Sequence, residues 1–152
     1  MPNLFPTQQL ESTPDPLLSR DKTAVRFGRS FKFDFEAGEF VLTPNGKVTE
    51  TQDVEAWLEW CSKALRTARY KYLVYSRNYG QEYEELIGKG LTRAAIESEI
   101  KRITEETLKV DPRTAGVKNF TFTWDNGAVY FTCEVSNVRG EIGQISGSVV
   151  IG

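Results

Sequence analysis

Residues with an evident chemistry concentrate between Trp60 and Gln81. This stretch carries Lys63, Arg66, Arg69, Lys71 and Arg77, contains no acid, and interleaves Tyr70, Tyr72, Tyr75 and Tyr79 among the cations. Basic groups alternating with aromatic rings suit a single-stranded nucleic acid, since charge tracks the backbone while rings stack on bases. Glu82, Glu84 and Glu85 follow at once and set an acidic strip beside the basic one, a pattern better suited to a protein partner with its own charge pattern. Asp111-Pro112-Arg113 is a second constellation. Its proline fixes the backbone, and its acid and base can either close a helix end with a local ion pair or bind a partner, Arg113 in bidentate fashion. The residue physics favours the helix stop.

Other chemistries are excluded or unsupported. The 152 residues include no histidine, which removes the usual general base near neutral pH, the commonest metal ligand and any histidine-based triad. Cys61 and Cys133 lie far apart in sequence, not in a CxxC pair; they read as small buried hydrophobes rather than a zinc or redox site. Among 21 acids no carboxylate pair is isolated as glycosidase work requires, and Asp34, Glu36 and Glu39 read as solvent-facing strand and turn residues. Gly88-Lys89-Gly90 lacks the spacing and Ser/Thr of a phosphate loop. No catalytic residue, metal site or cofactor is expected. The net charge of -2 gives no global field toward polyanions or membranes.

The elements that must hold these groups follow from hydrophobic periodicity. Four of six prolines, Pro2, Pro6, Pro14 and Pro16, fall in the first sixteen residues, which excludes a helix interior or central strand there. Residues 1–28 are expected to be an extended arm, either a loose terminus or a segment lying along a neighbouring subunit, and 29–152 a single domain. Phe31, Phe33 and Phe35 alternate as in a half-buried strand, and Pro44-Asn45-Gly46 marks a turn. Val54, Trp57, Leu58, Cys61 and Leu65 recur at helical spacing, with Thr51 or Asp53 as the expected cap. A second helix is predicted from about Thr92 to Lys109, with Ile96, Ile100 and Ile103 inward and Glu97–Lys101 and Glu105–Lys109 pairs outward. Tyr70, Tyr72 and Val74 alternate as a strand would. Phe120, Phe122 and Trp124, then Asp125-Asn126-Gly127, then Val129, Phe131, Cys133 and Val135 predict a hairpin. A last strand spans Glu141 to Ile151, and its segment Ile145, Ser146, Gly147, Ser148, Val149 and Val150 is a candidate edge for strand docking. The fold class is α+β: two amphipathic helices on a mostly antiparallel sheet. No run approaches the roughly 20 apolar residues of a membrane span, and the composition reads as a soluble protein of a reducing cytoplasm.

Leu65-Arg66-Thr67-Ala68-Arg69-Tyr70, Tyr75-Ser76-Arg77-Asn78-Tyr79-Gly80 and Glu85-Leu86-Ile87-Gly88, followed by Asp111-Pro112-Arg113 and Val117-Lys118-Asn119-Phe120, resemble a known family in order and spacing. It is that of the XkdS-type proteins of defective-prophage and phage-tail-like particles, relatives of the sheath-initiating baseplate wedge protein of T-even phages. The resemblance covers roughly residues 30–150. It departs at Asp111, where relatives commonly carry Glu, and at Ala68, where they often carry an acid. The resemblance implies a non-enzymatic structural protein of a contractile baseplate, present in the particle, assembled in the bacterial cytoplasm, and linking the wedge to the first sheath ring. Its implied partners are the larger wedge subunits and the sheath protein, with tube or hub proteins as further neighbours and no membrane. By the same match Asp111, Pro112, Arg113, Arg66, Arg69, Tyr79 and Gly80 become interface candidates, and the terminal strand becomes the sheath-docking edge. The alternative from another class is a nucleic-acid module using the strip 63–79.

Overall fold

The period-two alternation of the C-terminal third folds into the main sheet of the computed structural model, which describes residues 25–151. Strands β5 (Thr114–Asp125), β6 (Ala128–Asn137) and β7 (Ile142–Val150) form an antiparallel sheet in the order β5-β6-β7. Asn126 and Gly127 both take positive φ, 45° and 76°, between the paired Asp125 and Ala128. This is the two-residue turn whose twist matches its flanking strands. Val129, Phe131, Cys133 and Val135 of β6 are buried, and so are Ile145 and Val149 of β7.

Two helices cover that face. Helix α1 (Asp53–Arg66) buries Trp57, Cys61 and Leu65, while α2 (Arg93–Lys109) buries Ile96, Ile100 and Ile103. Thr92 caps α2, its hydroxyl accepting from the Ala95 amide at 3.2 Å. The expected α1 cap is absent: Gln52 holds that position without a side-chain bond, Thr51 is buried in a strand, and Asp53 is already helical. Acids in the first turn and Lys63 and Arg66 in the last still complement the helix dipole. On α2 the Glu105–Lys109 pair forms at 2.7 Å. The expected Glu97–Lys101 pair does not, because Glu97 accepts from the Trp124 indole at 2.9 Å and Lys101 lies over the Phe122 ring. Glu97 and Lys101 therefore bind the sheet rather than each other.

The segment before α1 makes two small ribbons, β1 (Arg29–Phe31) with β4 (Glu50–Gln52) and β2 (Phe33–Asp34) with β3 (Glu39–Phe40). The fold class is α+β, as the periodicity predicts. Phe27 is buried against Trp57 with ring centroids 6.4 Å apart, so packing reaches into the end of the segment expected as an arm. The remainder of that arm, residues 1–24, lies outside the described residues.

Candidate functional site

The acid-Pro-Arg triplet forms a closed clasp. Pro112 follows α2, and the Asp111 carboxylate turns back onto Arg113. Its Oδ1 accepts from the Arg113 amide at 2.8 Å and from Nε at 2.9 Å, while Oδ2 accepts from Nη2 at 2.7 Å. Arg113 Nη1 donates to the Phe27 carbonyl at 2.8 Å. Both side chains are nearly buried, at 13% and 9% exposure for Arg113 and Asp111. This fork–fork geometry is the strong form of the pair, and it ties the start of the domain to the junction of helix and sheet. The two charges are therefore committed within the chain.

From Arg113 a ladder of rings leads outward. Its guanidinium lies 5.9 Å from the Trp60 ring centroid, Trp60 packs edge-on to Tyr79 at 5.8 Å, Tyr79 meets Tyr75 at 4.7 Å, and Tyr75 meets Tyr72 at 6.2 Å. Burial pushes the Tyr79 hydroxyl above its usual range. The ladder stiffens segment 67–82, which is an irregular loop rather than the strand suggested by Tyr70, Tyr72 and Val74. The loop is pinched at its base by an Ala68–Gln81 bridge. Gly80, at φ 104°, lets the strands of this neck touch: a Cβ there would stand 2.7 Å from the Thr67 carbonyl oxygen. With no neighbouring strand to pair, Tyr70, Tyr72 and Tyr75 are exposed, and Leu73 and Val74 stand at 104% and 84% exposure.

The basic strip is largely engaged. Arg69 donates to the Arg77 carbonyl at 2.7 Å and pairs with Glu82 at 3.6 Å; Lys71 pairs with Glu84 at 3.8 Å. Lys63 turns to the Ser30 hydroxyl and the Phe31 carbonyl, and Arg66 stacks on Phe35 at 4.4 Å. The structure thus brings Asp111, Pro112, Arg113, Arg69, Tyr79 and Gly80 into one neighbourhood and places Arg66 elsewhere, over Phe35 and beside the middle of the main sheet. Trp60, which packs at the margin of the core, makes a bridge from Arg113 to Tyr79 that its place at the start of the basic stretch does not signal.

The second candidate surface is β7. The bonds Asn137 N–H to Glu141 O (3.0 Å) and Ile151 N–H to Gly127 O (2.8 Å) bracket its ladder with β6. In an antiparallel pair the bonded positions alternate, so Ile145, Gly147 and Val149 bond to β6, while Gln144, Ser146 and Ser148 direct their amides and carbonyls outward. Among the described residues no strand pairs with this outer edge. The opposite edge, β5, is broken by register shifts at Thr114/Gly116 and Lys118/Thr121, and such bulges blunt an edge. Three clefts follow β7: one beside Gln144 and Ile145 with Glu55 and Glu59, one of about 390 Å³ along Ser146 to Ser148 with Glu36 and Arg66, and one from Ser148 to Val150 with Gln81 and Ile87. Glu36, Glu55 and Glu59 were not expected at a site. The two α1 acids are spaced i,i+4, which is a signal only once β7 is known to lie beside them.

The buried cysteines carry no part of either surface. Desolvation pushes both thiols up to about 12.

Residues 29–140 match the family model described as the contractile injection system sheath initiator. The chain belongs to this family. It is also 29% identical over 135 residues to the phage-like element PBSX protein XkdS of Bacillus subtilis (strain 168), with 86% of this chain and 90% of that protein covered. Its fold was further compared with a chain of the 6-fold symmetrised cryo-EM structure of the anti-feeding prophage baseplate. That match has a TM-score of 0.49 and 16% identity over 82% of this chain and 86% of that one. Sheath-initiator membership makes the protein a structural component of a contractile injection system, in agreement with the resemblance carried by its motifs. Among the described residues no helix is long and apolar enough to cross a membrane.

Proposed function

We propose that the protein stands in the baseplate between the wedge and the first sheath ring and accepts an extended segment of the sheath subunit along β7. The observation that carries this reading is the regular β7 edge, unpaired among the described residues, whose outward amides and carbonyls at Gln144, Ser146 and Ser148 supply the main-chain bonds that strand addition requires. The wedge side is the loop 67–82. Its exposed Leu73 and Val74 form an apolar knob that the ring ladder holds in place from Arg113. In this reading the triplet Asp111-Pro112-Arg113 positions the wedge-facing loop instead of offering loose charges to a partner. The protein performs no reaction of its own. The engaged state of Lys63, Arg66, Arg69 and Lys71 weighs against the nucleic-acid alternative.

Ser146→Pro tests the sheath contact, because proline removes one outward donor and leaves the β6 ladder bonds of Ile145 and Gly147 in place. Particles carrying it should show tubes and baseplates by electron microscopy but few sheaths, with the purified variant still folded by circular dichroism. Normal sheaths would refute the edge as the docking site. Truncation from Gly147 is a poorer test, since it removes the buried Val149 and the backbone against Phe131.

A further inference from the structure

The cleft at the start of β7 has a chemistry of its own. It measures about 230 Å³ and is lined by Thr51, Glu55, Glu59, Gln144 and Ile145, with Lys32 as its one cation among the described residues. Two oxygens in these walls have no partner among the described residues: Glu59 Oε2 and Thr51 Oγ1 are both buried and unbonded there, and Thr51 as a whole is only 3% exposed. Buried acceptors are ordinarily satisfied, and an unmet one costs free energy. The cation one helical turn after Glu59 does not neutralise it, because Lys63 reaches instead to Ser30 and Phe31. Among the described residues neither Glu55 nor Glu59 takes part in an ion pair.

The cleft is continuous with the free edge. Residues directly opposite on paired strands point to the same face, and Ile145 points to the α1 face, where it is buried. A residue of an added strand opposite Ile145 is therefore delivered to the flank of α1 that carries Glu55 and Glu59. Resting on the reading of β7 as a docking edge, we propose that this cleft is its specificity pocket. It takes the ammonium or guanidinium of a lysine or arginine on the docking strand of the sheath subunit, with Glu59 Oε2 and Thr51 Oγ1 as acceptors and Glu55 adding charge at the mouth. Main-chain bonds along Gln144 to Ser148 give the strand its affinity, and the basic side chain fixes its register, because a shift by one residue would send that side chain to the other face.

The test uses the full chain and fluorescently labelled eight-residue probes of alternating valine and threonine, end-capped. A single lysine is moved through every position, with norleucine at the same position as the neutral match. Fluorescence anisotropy should show lysine favoured by about tenfold at one position, the size of a single charge-assisted contact, and near parity elsewhere. Glu59→Gln should reduce that preference to about twofold or less without changing binding of the norleucine probe, while Ser146→Pro should abolish binding of every probe. Equal affinities for lysine and norleucine at all positions, with binding still sensitive to Ser146→Pro, would overturn the pocket and leave the docking edge standing. Failure of all probes to bind the unmodified chain would overturn both.

Discussion

Replacing Arg113 by methionine probes the clasp at the base of the ring ladder. The substitution keeps much of the apolar stem and removes three bonds, two to Asp111 and one to the Phe27 carbonyl. It leaves a carboxylate whose side chain is 9% exposed with one remaining donor, the Arg113 amide. Breaking a buried pair in this one-sided way costs about 3–5 kcal/mol. For a chain of this size each kcal/mol moves the thermal midpoint by about 2–4 °C, so Arg113→Met should melt about 6–20 °C lower. Lys109→Ala is the internal control, since the Glu105–Lys109 pair is equally short but both its side chains are 48% exposed; such pairs contribute about 0–1 kcal/mol. Adding Asp111→Asn to Arg113→Met removes the stranded charge and should restore part of the loss, giving a clear coupling in a double-mutant cycle. The measurement is thermal and urea unfolding followed by circular dichroism. Equal midpoints for Arg113→Met and Lys109→Ala would refute the assignment of the triplet as a structural brace and return Arg113 to the role of an interface charge.

Gly147→Ala should destabilise the domain by about 1–3 kcal/mol, because the new Cβ would stand 2.6 Å from Phe131 Cζ in the core. Gly143→Ala should cost less, since its nearest neighbour is the mobile end of Leu58; urea midpoints rank the two. Both thiols should resist Ellman's reagent at pH 8 until the chain unfolds. Their pKa values are raised from the ordinary 9.0 to about 12, so their contribution to stability is complete below pH 9 and is lost as pH climbs from 9 toward 12. Leu73→Ser with Val74→Ser should leave the melting temperature unchanged while lowering recovery of assembled baseplates, as counted by electron microscopy.

What the sequence made legible was local. The helical spacing from Val54 to Leu65, the Thr92 cap and the Asn126-Gly127 turn each rest on neighbours a few residues apart, and they set the α+β class. The errors arose where a distant partner decided the outcome. Glu97 left its expected Lys101 for Trp124, 27 residues away, and Arg113 reached Phe27, 86 residues away. The alternation of Tyr70, Tyr72 and Val74 was genuine in sequence but had no strand to pair with, so it produced an exposed loop. The β7 strand itself was foreseeable from the alternation of Ile145 and Val149 with polar residues. The acids beside it were not, since only the tertiary placement of α1 beside β7 gives Glu55 and Glu59 something to face.

The unequal edges of the main sheet have a consequence for growth. A strand-exchanging subunit with two competent edges is divalent and can be extended from either side, so arrays can nucleate anywhere and in either direction. Among the described residues the bulges of β5 leave β7 as the one regular edge of the main sheet, so on the proposed reading this sheet is monovalent for strand addition. A monovalent sheet pairs with one strand and no more, so on that reading it starts a chain made of something else and does not propagate one of its own kind. The same asymmetry that limits edge-to-edge pairing of the isolated protein to a single partner would give the sheath a fixed origin and a single direction of elongation.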